Sequence, residues 1–304
     1  MTAAERVPAW VPEAFRGKVK LAEPLARYTS WHVGGPADVY FRPASGDELA
    51  AFLAGLRYEV PVLMLGLGSN LLVRDGGWRG VVISLQGVLD KLEREGATGV
   101  YAEAGVPCAR LAKTCVRWKL GPADFFAGIP GTVGGALAMN AGAWGGETWP
   151  HVESVEVINR GGERRVRSAS EYHYAYRHVE PPAAGEWFLS ARFRFESRPT
   201  ATLDEIQRLL DQRRETQPIG EWSGGSTFIN PPGGHAARLI ESAGLKGFRI
   251  GGAIVSQKHA NFLLNEGSAS ASDIEQLIGH VRETVASVHG VRLVTEVRIV
   301  GEAA

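Results

Sequence analysis

Two glycine-rich stretches decide the fold of this chain: residues 65–73 read LGLGSNLLV, and residues 128–147 read GIPGTVGGALAMNAGAWGGE. In the first, consecutive backbone N–H groups can form a concave nest for an anion, with Ser69 and Asn70 as further donors. Leu71 stands where the Rossmann fingerprint needs its third glycine, and no long helical pattern follows, so that motif is excluded. Taken alone, the stretch fits a pyrophosphate site and a tight turn between strands equally well.

The second stretch mixes glycine with small apolar residues and carries few polar ones. Glycine deprives a core of packing mass and costs about 1 kcal/mol at a helical site, so the composition is hard to explain as core. It suits backbone that lies flat against a large ligand, such as a planar aromatic cofactor with a phosphate tail. The alternative is a long loop, although loops seldom carry so few polar residues.

Composition excludes several classes of protein. The 304 residues predict two or three domains, and the balance of 33 Lys+Arg against 33 Asp+Glu argues against binding to duplex DNA or to a membrane surface. The N-terminal segment, which contains Glu5-Arg6, has no apolar run typical of a signal peptide, and Pro61–Val73 is too short to span a bilayer.

The eight histidines have no metal-ligand spacing, so we expect no metal site. Cys108 and Cys115 are seven residues apart on a predicted helix, which indicates buried thiols and suits a reducing cytoplasm.

Local patterns predict an α+β fold. Helices are expected after three capping boxes, namely Ser45–Glu48, Thr202–Glu205 and Ser272–Glu275. Strands are expected in short β-rich runs, namely Asp38–Phe41, Pro61–Leu65, Val81–Leu85, Val100–Ala102, Trp187–Phe195 and Val291–Val300. Residues 154–168 alternate around Gly161-Gly162 and predict a hairpin.

Three further segments contain candidate functional side chains. Tyr176-Arg177 offers a phenol and a guanidinium that suit a carboxylate or phosphate, or else forms an aromatic strand end with a surface arginine. Ser226 follows two glycines but lacks the Gly-x-Ser-x-Gly elbow of acyl-transfer nucleophiles, and by itself would be a turn serine. Glu296 alternates with valines in the last predicted strand, either as a buried functional carboxylate or as an exposed charge paired with Arg298.

Together, these segments resemble the UDP-N-acetylenolpyruvoylglucosamine reductases of bacterial cell-wall synthesis. The resemblance covers nearly the whole chain and rests on segments in the family's order, namely YTSWHVGG (28–35), GLGSNLLVRDGGWRGVVI (66–83), GIPGTVGGALAMNAGAWGGE (128–147), YAYR (174–177), GSTFINP (225–231), ARLIESAGLKG (237–247), GGAIVSQKHANFLLN (251–265) and TEVRIVG (295–301). One subgroup of the family inserts a substrate-covering tyrosine loop after YxYR. Only about ten residues separate Arg177 from Trp187 here, so the chain resembles the shorter subgroup.

The resemblance implies non-covalent FAD in a fold of the vanillyl-alcohol-oxidase/p-cresol-methylhydroxylase type, with NADPH as co-substrate. It implies FAD-binding lobes at residues 1–75 and 76–197, a substrate-binding domain at 198–304, and a cytoplasmic, monomeric oxidoreductase of peptidoglycan synthesis that acts on a small UDP-sugar. The implied FAD-binding residues are Gly66, Leu67, Gly68, Ser69, Asn70, Pro130, Gly131, Thr132, Gly134, Gly135, Asn140, Ala141 and Gly142. The implied catalytic residues are Arg177, Ser226 and Glu296, and the implied substrate-binding residues are Tyr176, Asn230, Lys258 and Arg298.

The implied reaction explains these residue types. Hydride addition to an enolpyruvyl group develops charge on its carboxylate, where an arginine fork stabilises the enolate. Glu296 would act beside that carboxyl in a protonated or hydrogen-bond-sharing state, and Ser226 would protonate the α-carbon. The alternatives are another flavoprotein of the same fold that acts on a hydroxy acid or sugar lactone, and a catalytically dead nucleotide-sugar-binding module or glycine-rich structural protein. Retention of all three catalytic residues argues against a dead relative.

Overall fold

The computed structural model describes residues 7–304, which contain both helices and strands; Glu5-Arg6 lies outside the described residues. The helices are α1 (Gly46–Gly55), α2 (Cys108–Arg117), α3 (Val133–Met139), α4 (Leu203–Thr216), α5 (Ala236–Ser242) and α6 (Ala271–His289). The strands of the first half are β1 (Val19–Pro24), β2 (Pro36–Phe41), β3 (Val62–Leu65), β4 (Leu71–Val73), β5 (Trp78–Ser84), β6 (Leu92–Glu95), β7 (Gly99–Glu103), β8 (Leu120–Gly121), β9 (Gly142–Ala143) and β10 (Gly146–Glu147). The remaining strands are β11 (Val152–Asn159), β12 (Arg164–Ser168), β13 (His173–Ala175), β14 (His178–Glu180), β15 (Glu186–Arg194), β16 (Glu196–Ser197), β17 (Ser223–Ser226), β18 (Arg249–Ile250), β19 (Ala253–Val255), β20 (Phe262–Asn265) and β21 (Arg298–Val300).

The chain forms two compact units, each assembled from three separate stretches of sequence. Among the described residues, unit 1 comprises 7–21, 39–67 and 80–210, and unit 2 comprises 22–38, 68–79 and 211–304. These boundaries differ from residues 75/76 and 197/198 of the sequence analysis, and that three-part division stays a prediction.

The larger sheets position the candidate site residues. A four-stranded sheet has the order β1-β2-β5-β3, and a five-stranded sheet in unit 1 has the order β12-β11-β15-β7-β6. In unit 2, a four-stranded sheet has the order β17-β20-β19-β18, and β21 pairs in parallel with β4. The hairpin predicted around Gly161-Gly162 is confirmed, because β11 and β12 pair antiparallel with Ser154 opposite Ser168.

Each unit has its own hydrophobic core. In unit 1, one cluster joins α2 and the five-stranded sheet around Phe126, Trp149 and Phe193, and a second surrounds Phe41 and Phe52. Unit 2 packs Trp31 and Phe228 against α6, and the cluster also includes Ile274, Leu277 and Val281. Burying one such side chain stabilises the fold by roughly 1.5–3 kcal/mol.

The two cysteines confirm the prediction of buried thiols on one helix. Both lie on α2 and are inaccessible to solvent. Burial raises the pKa of both thiols, that of Cys115 to about 12. Neither thiol is therefore a reactive nucleophile at neutral pH. None of the helices in residues 7–304 is long and apolar enough to cross a membrane.

Two of the three predicted helix starts are confirmed, and the third is wrong by two residues. Ser45 caps α1 by accepting from the N–H of Glu48, and α4 begins directly after Thr202. The N-cap of α6 is Ser270 rather than Ser272, because the side chains of Ser270 and Asp273 satisfy each other's backbone N–H groups. An aspartate at the third helical position completes this exchange as a glutamate would.

The last predicted strand is too long. The expected alternation holds, since Leu293 and Val297 are buried while Val294 is exposed. Strand pairing nevertheless begins only at Arg298, apart from one isolated bridge between Thr295 and Phe228. Residues 291–297 are therefore an extended segment that packs on the core without a continuous partner strand, and such a segment shows the same alternating burial as a strand.

Candidate active site

Arg177 lies at the tip of a tight hairpin in unit 1. Strands β13 and β14 pair antiparallel with Ala175 opposite His178, so Tyr176 and Arg177 form a two-residue loop. The half-buried guanidinium of Arg177 donates from Nη2 to the carbonyl of Gly142 at 2.9 Å and from Nη1 to that of Asn140 at 3.5 Å. Its central carbon lies 5.1 Å from the centre of the Tyr176 ring. Two carbonyls and one aromatic face therefore fix the plane of the guanidinium.

The backbone of Arg177 is left-handed, with φ +57°. A bulky residue rarely adopts this conformation, which costs about 1–2 kcal/mol relative to ordinary backbone. Glycine or asparagine would be the usual choice at such a position in a tight turn. Local strain of this kind concentrates at functional sites, where the function of the side chain outweighs the free-energy cost of the strained backbone. The conformation thus singles out Arg177 within its hairpin.

The first glycine stretch retains unused backbone donors. Within residues 7–304, no hydrogen bond is donated by the main-chain N–H groups of Gly66, Leu67, Gly68 or Ser69. Gly68 has φ +63°, and a Cβ added there would lie 1.9 Å from the carbonyl oxygen of Tyr28. A side chain at residue 68 would therefore displace the loop. A row of free N–H groups on a loop that requires glycine has the donor chemistry of an anion nest.

The second glycine stretch differs, because most of its donors are already committed within unit 1. The N–H groups of Gly131, Val133 and Gly134 donate to main-chain carbonyls, and that of Gly135 approaches Thr132 Oγ1 at 3.4 Å. The stretch also contributes Val133, Ala136 and Leu137 to the core through helix α3, which the sequence analysis did not predict. A Cβ added to Gly134 would lie 2.9 Å from the Cβ of Ala104, so part of the glycine content serves close packing.

The two stretches meet at Thr132 in unit 1. A Cβ built on Gly66 would lie 2.8 Å from Thr132 Oγ1. Thr132 is buried and also caps helix α3. The backbone of the first stretch can therefore pass this close to the second only because residue 66 is glycine.

In unit 2, Ser226 and Glu296 lie on adjoining segments. Ser226 ends strand β17 opposite Phe262, and the preceding residue, Gly225, has φ +77° at an irregularity in the pairing. The carbonyl of Thr227 accepts from the N–H of Glu296 at 2.8 Å. Ser226 is partly exposed and ends a strand, so the expectation of a serine in a tight turn is wrong.

Asn70 links the first glycine stretch to the segment that contains Glu296. Its side-chain Nδ2 donates to the carbonyl of Glu296 at 3.1 Å, and its own carbonyl accepts from the N–H of Arg298 at 3.0 Å. These contacts begin the parallel pairing of β4 with β21. The sequence placed these residues far apart, and unit 2 brings them together.

The other two predicted substrate-binding residues of unit 2 each make a local contact. Asn230 Oδ1 accepts from the N–H of Ala236 at 3.0 Å at the start of α5. Lys258 is exposed, and its ammonium group donates to the carbonyl of Arg214.

Sequence reasoning missed Asn261, which holds the Ser226 segment in place. Its side chain accepts from the N–H of Phe228 at 2.9 Å and donates to the carbonyl of Phe228 at 2.8 Å. Its main-chain carbonyl also accepts from the N–H of Thr227 at 2.8 Å. Asn261 is almost completely buried and therefore pairs with this segment as a strand would. An asparagine among the apolar residues of HANFLL was the available signal.

Comparisons with known proteins agree with this arrangement. Residues 217–300 match the model of the UDP-N-acetylenolpyruvoylglucosamine reductase C-terminal domain, and residues 37–167 match that of an FAD binding domain. A protein of Alkalilimnicola ehrlichii named UDP-N-acetylenolpyruvoylglucosamine reductase is 56% identical over 288 residues, covering 94% of this chain and 96% of its own. The chain belongs to the UDP-N-acetylenolpyruvoylglucosamine reductase family.

Further members of that family agree. A reductase of the same name from Methylococcus capsulatus is 53% identical over 282 residues, covering 92% of each chain. The crystal structure of UDP-N-acetylenolpyruvylglucosamine reductase from Thermus caldophilus superposes with a TM-score of 0.78 at 35% identity, covering 92% of this chain and 97% of the other. The predicted fold class, an FAD-binding fold followed by a smaller α+β domain, is confirmed.

The residues of this chain fit FAD, and the chain is an FAD-dependent oxidoreductase. The fit rests on two observations at the first glycine stretch. Four N–H donors there are unused within residues 7–304, and the space at Gly68 admits no Cβ. Backbone donors hold a pyrophosphate without basic side chains, as the sequence analysis expected.

Proposed function

We propose that this chain reduces UDP-N-acetylglucosamine enolpyruvate to UDP-N-acetylmuramate, using NADPH and FAD, in peptidoglycan precursor synthesis. Family membership and the FAD-binding domain support this activity, and a hydroxy-acid or sugar-lactone oxidase is not favoured. The observation that supports a role for an individual residue is that two carbonyls and the Tyr176 ring hold the guanidinium of Arg177 in place. The proposed enzyme is cytoplasmic and monomeric. It binds neither nucleic acid nor membrane, and its zero net charge supports this second point.

The first glycine stretch would hold the cofactor's pyrophosphate through the N–H groups of Gly66, Leu67, Gly68 and Ser69, with Asn70 beside them. Pro130, Gly131, Thr132, Gly134 and Gly135, with Asn140, Ala141 and Gly142, form the proposed flavin-facing backbone. The chemistry supplied by bound FAD is hydride transfer from NADPH to the enolpyruvyl β-carbon.

Arg177 would bind the carboxylate of the enolpyruvyl group. Negative charge moves onto that carboxylate as the enolate forms, so a preorganised guanidinium stabilises the transition state more than the substrate. Its planar fork matches a carboxylate in two parallel hydrogen bonds. The carbonyls of Asn140 and Gly142 set the plane of the fork before substrate arrives.

Ser226 would give its hydroxyl proton to the α-carbon, which completes the lactyl ether. A serine hydroxyl is a weak acid, so the basicity of the enolate and neighbouring groups must assist it. Glu296 would share a hydrogen bond with the reacting carboxyl in a protonated state, because an ionised carboxylate would repel the enolate. Tyr176, Asn230, Lys258 and Arg298 would contact other parts of the substrate.

The two half-reactions test the role of Ser226. Ser226→Ala should leave reduction of the holoenzyme by NADPH nearly unchanged, because no proton goes to carbon in that step. Reoxidation by the enolpyruvyl substrate should fall roughly 10²–10⁴-fold, as is typical when a general acid is removed. Rapid-mixing absorbance at the flavin band follows each step, and Ser226→Cys should recover part of the loss.

Two results would contradict the proposal. Equal losses in both half-reactions would mean that Ser226 shapes the site rather than donating a proton. Failure of the wild-type enzyme to turn over the enolpyruvyl sugar nucleotide would remove the proposed function itself.

A further inference from the structure

Asn140 is completely buried, and its carboxamide is engaged within unit 1. Oδ1 accepts from the N–H of Trp149 at 3.0 Å. Nδ2 donates to Glu147 Oε2 at 2.9 Å and to the carbonyl of Ala175 at 3.0 Å. Both amide hydrogens are therefore used, so the side chain has no donor left for a ligand.

Two of the contacts of Asn140 converge on Arg177. The bond from Nδ2 to Ala175 secures the residue that immediately precedes the Tyr176-Arg177 loop. The main-chain carbonyl of Asn140 accepts from the guanidinium itself, as does the carbonyl of Gly142 two residues later. One residue thus holds both the strand residue next to the loop and the guanidinium at the tip of the hairpin.

The backbone conformation of Asn140 supports the second contact. Asn140 ends helix α3 with φ +49°, a left-handed conformation that asparagine tolerates better than most residues. The chain reverses at this residue and continues into strand β9, whose first residue, Gly142, provides the other carbonyl for Arg177. The left-handed turn therefore sets the positions of both acceptors.

The hairpin needs such an anchor. Strands β13 and β14 form a sheet of their own and are mostly exposed, with three residues each. A two-stranded hairpin of this kind is at best marginally stable by itself in water. The hydrogen bond from the Asn140 carboxamide to the carbonyl of Ala175 therefore matters more here than it would inside a larger sheet.

We infer that Asn140 is a positioning residue for Arg177, acting on the reaction through that side chain. The inference rests on the proposed function, because it takes Arg177 as the group that binds the reacting carboxylate. The family resemblance implies that Asn140 binds FAD, and this stays a prediction. The carboxamide itself bonds to Trp149, Glu147 and Ala175, so we assign it to positioning Arg177. A misplacement of about 1 Å can cost up to 10²-fold in rate, which sets the expected size of the effect.

The test uses Asn140→Gly in the holoenzyme. Glycine keeps the left-handed backbone and removes the carboxamide. We expect FAD content, FAD affinity and the rate of reduction by NADPH to stay near wild type, while reoxidation by the enolpyruvyl substrate falls about 10–10²-fold. Asn140→Asp is the second variant: it retains the acceptor for Trp149, but in its ionised form it cannot donate to Ala175 and repels Glu147, so the same selective loss should follow at a pH where the new carboxyl is ionised.

Asn159→Gly is the matched control. The carboxamide of Asn159 also makes three hydrogen bonds in unit 1, to the N–H groups of Gly161 and Glu163 and to Glu163 Oε2. It ends strand β11, next to the turn into β12, and that turn carries no proposed site residue. This variant should leave both half-reactions unchanged.

A double-mutant cycle separates positioning from a general structural role. If Asn140 acts through Arg177, Asn140→Gly should cost little further reoxidation rate once Arg177→Ala is present. Additive losses, or loss of FAD affinity with a slower NADPH step, would overturn the inference. If Arg177→Ala alone leaves reoxidation unchanged, the proposed role of Arg177 fails instead; if Arg177→Ala is slow and Asn140→Gly is normal, only the inference about Asn140 fails.

Discussion

The left-handed backbone of Arg177 predicts that glycine is the more stable replacement for this arginine. Arg177→Gly and Arg177→Ala both remove the guanidinium and its bond to Gly142, so they differ only in how residue 177 accommodates φ +57°. Alanine keeps a strain of about 1–2 kcal/mol that glycine lacks. The greater freedom of glycine in the unfolded chain offsets about 0.4–1 kcal/mol of this difference. Arg177→Gly should therefore be more stable by about 0.5–1 kcal/mol, although both variants should be reoxidised by the enolpyruvyl substrate more slowly than wild type.

Urea unfolding of the two holoproteins, followed by far-ultraviolet circular dichroism, measures the difference. With a denaturant slope of about 3 kcal/mol per molar, the midpoints should differ by about 0.2–0.3 M. Tyr176 provides a control of opposite sign, because it lies in the same loop without a positive φ, so Tyr176→Gly should be less stable than Tyr176→Ala. If Arg177→Ala proves as stable as Arg177→Gly, the left-handed backbone at residue 177 costs no folding free energy, and the argument from strain at this residue is refuted.

Two further predictions concern the cofactor loop and the response to acid. Gly68→Ala places a methyl group against the carbonyl of Tyr28, so the purified protein should lack the flavin absorbance band, whereas Gly96→Ala, left-handed with open space around it, should remain yellow. Hydrogen bonds from Arg74 hold the pKa of Glu275 below its usual 4.5, so this pair stabilises the fold above about pH 4.5 and ceases to do so as pH falls through the folded-state pKa. The stability advantage of wild type over Glu275→Gln in urea should accordingly shrink between pH 6 and pH 3, and an advantage that is constant over that range would contradict the assignment.

Much of the fold was predictable because it rests on local patterns. Alternating and β-branched residues placed the strands of residues 62–65, 78–84 and 186–194 to within a few positions. Helix α6 was found, but its cap was not, because Ser270 and Ser272 offer two candidate starts and only the tertiary structure selects one. Helix α3 was missed because its glycines and alanines give no apolar periodicity. At least one of these glycines, Gly134, is needed for close packing on Ala104, which the sequence does not reveal.

The candidate site was predictable in its residues but not in its geometry. Arg177, Ser226 and Glu296 were identified by resemblance to a family, since a turn serine or a strand glutamate carries little signal alone. No pattern in YAYR indicates a left-handed arginine, because the loop lacks the glycine or asparagine that usually marks one. Asn261 illustrates the same limit, since its bonds to Phe228 depend on a strand pairing that only the folded chain defines.

The interleaving of the two units along the sequence has a consequence for protein synthesis. Strand β4 belongs to unit 2, yet its partner β21 leaves the ribosome only after the whole of the last stretch of unit 1, residues 80–210, has been made. Within the early pieces of unit 2, residues 22–38 and 68–79, strand β4 must therefore remain an unpaired apolar segment until then, which makes it a target for aggregation and for chaperones. A fragment beginning at residue 211 would lack both early pieces, including Trp31 and Leu72 of its own core. Unit 2 consequently has no single cut point from which it could be produced as an independent module.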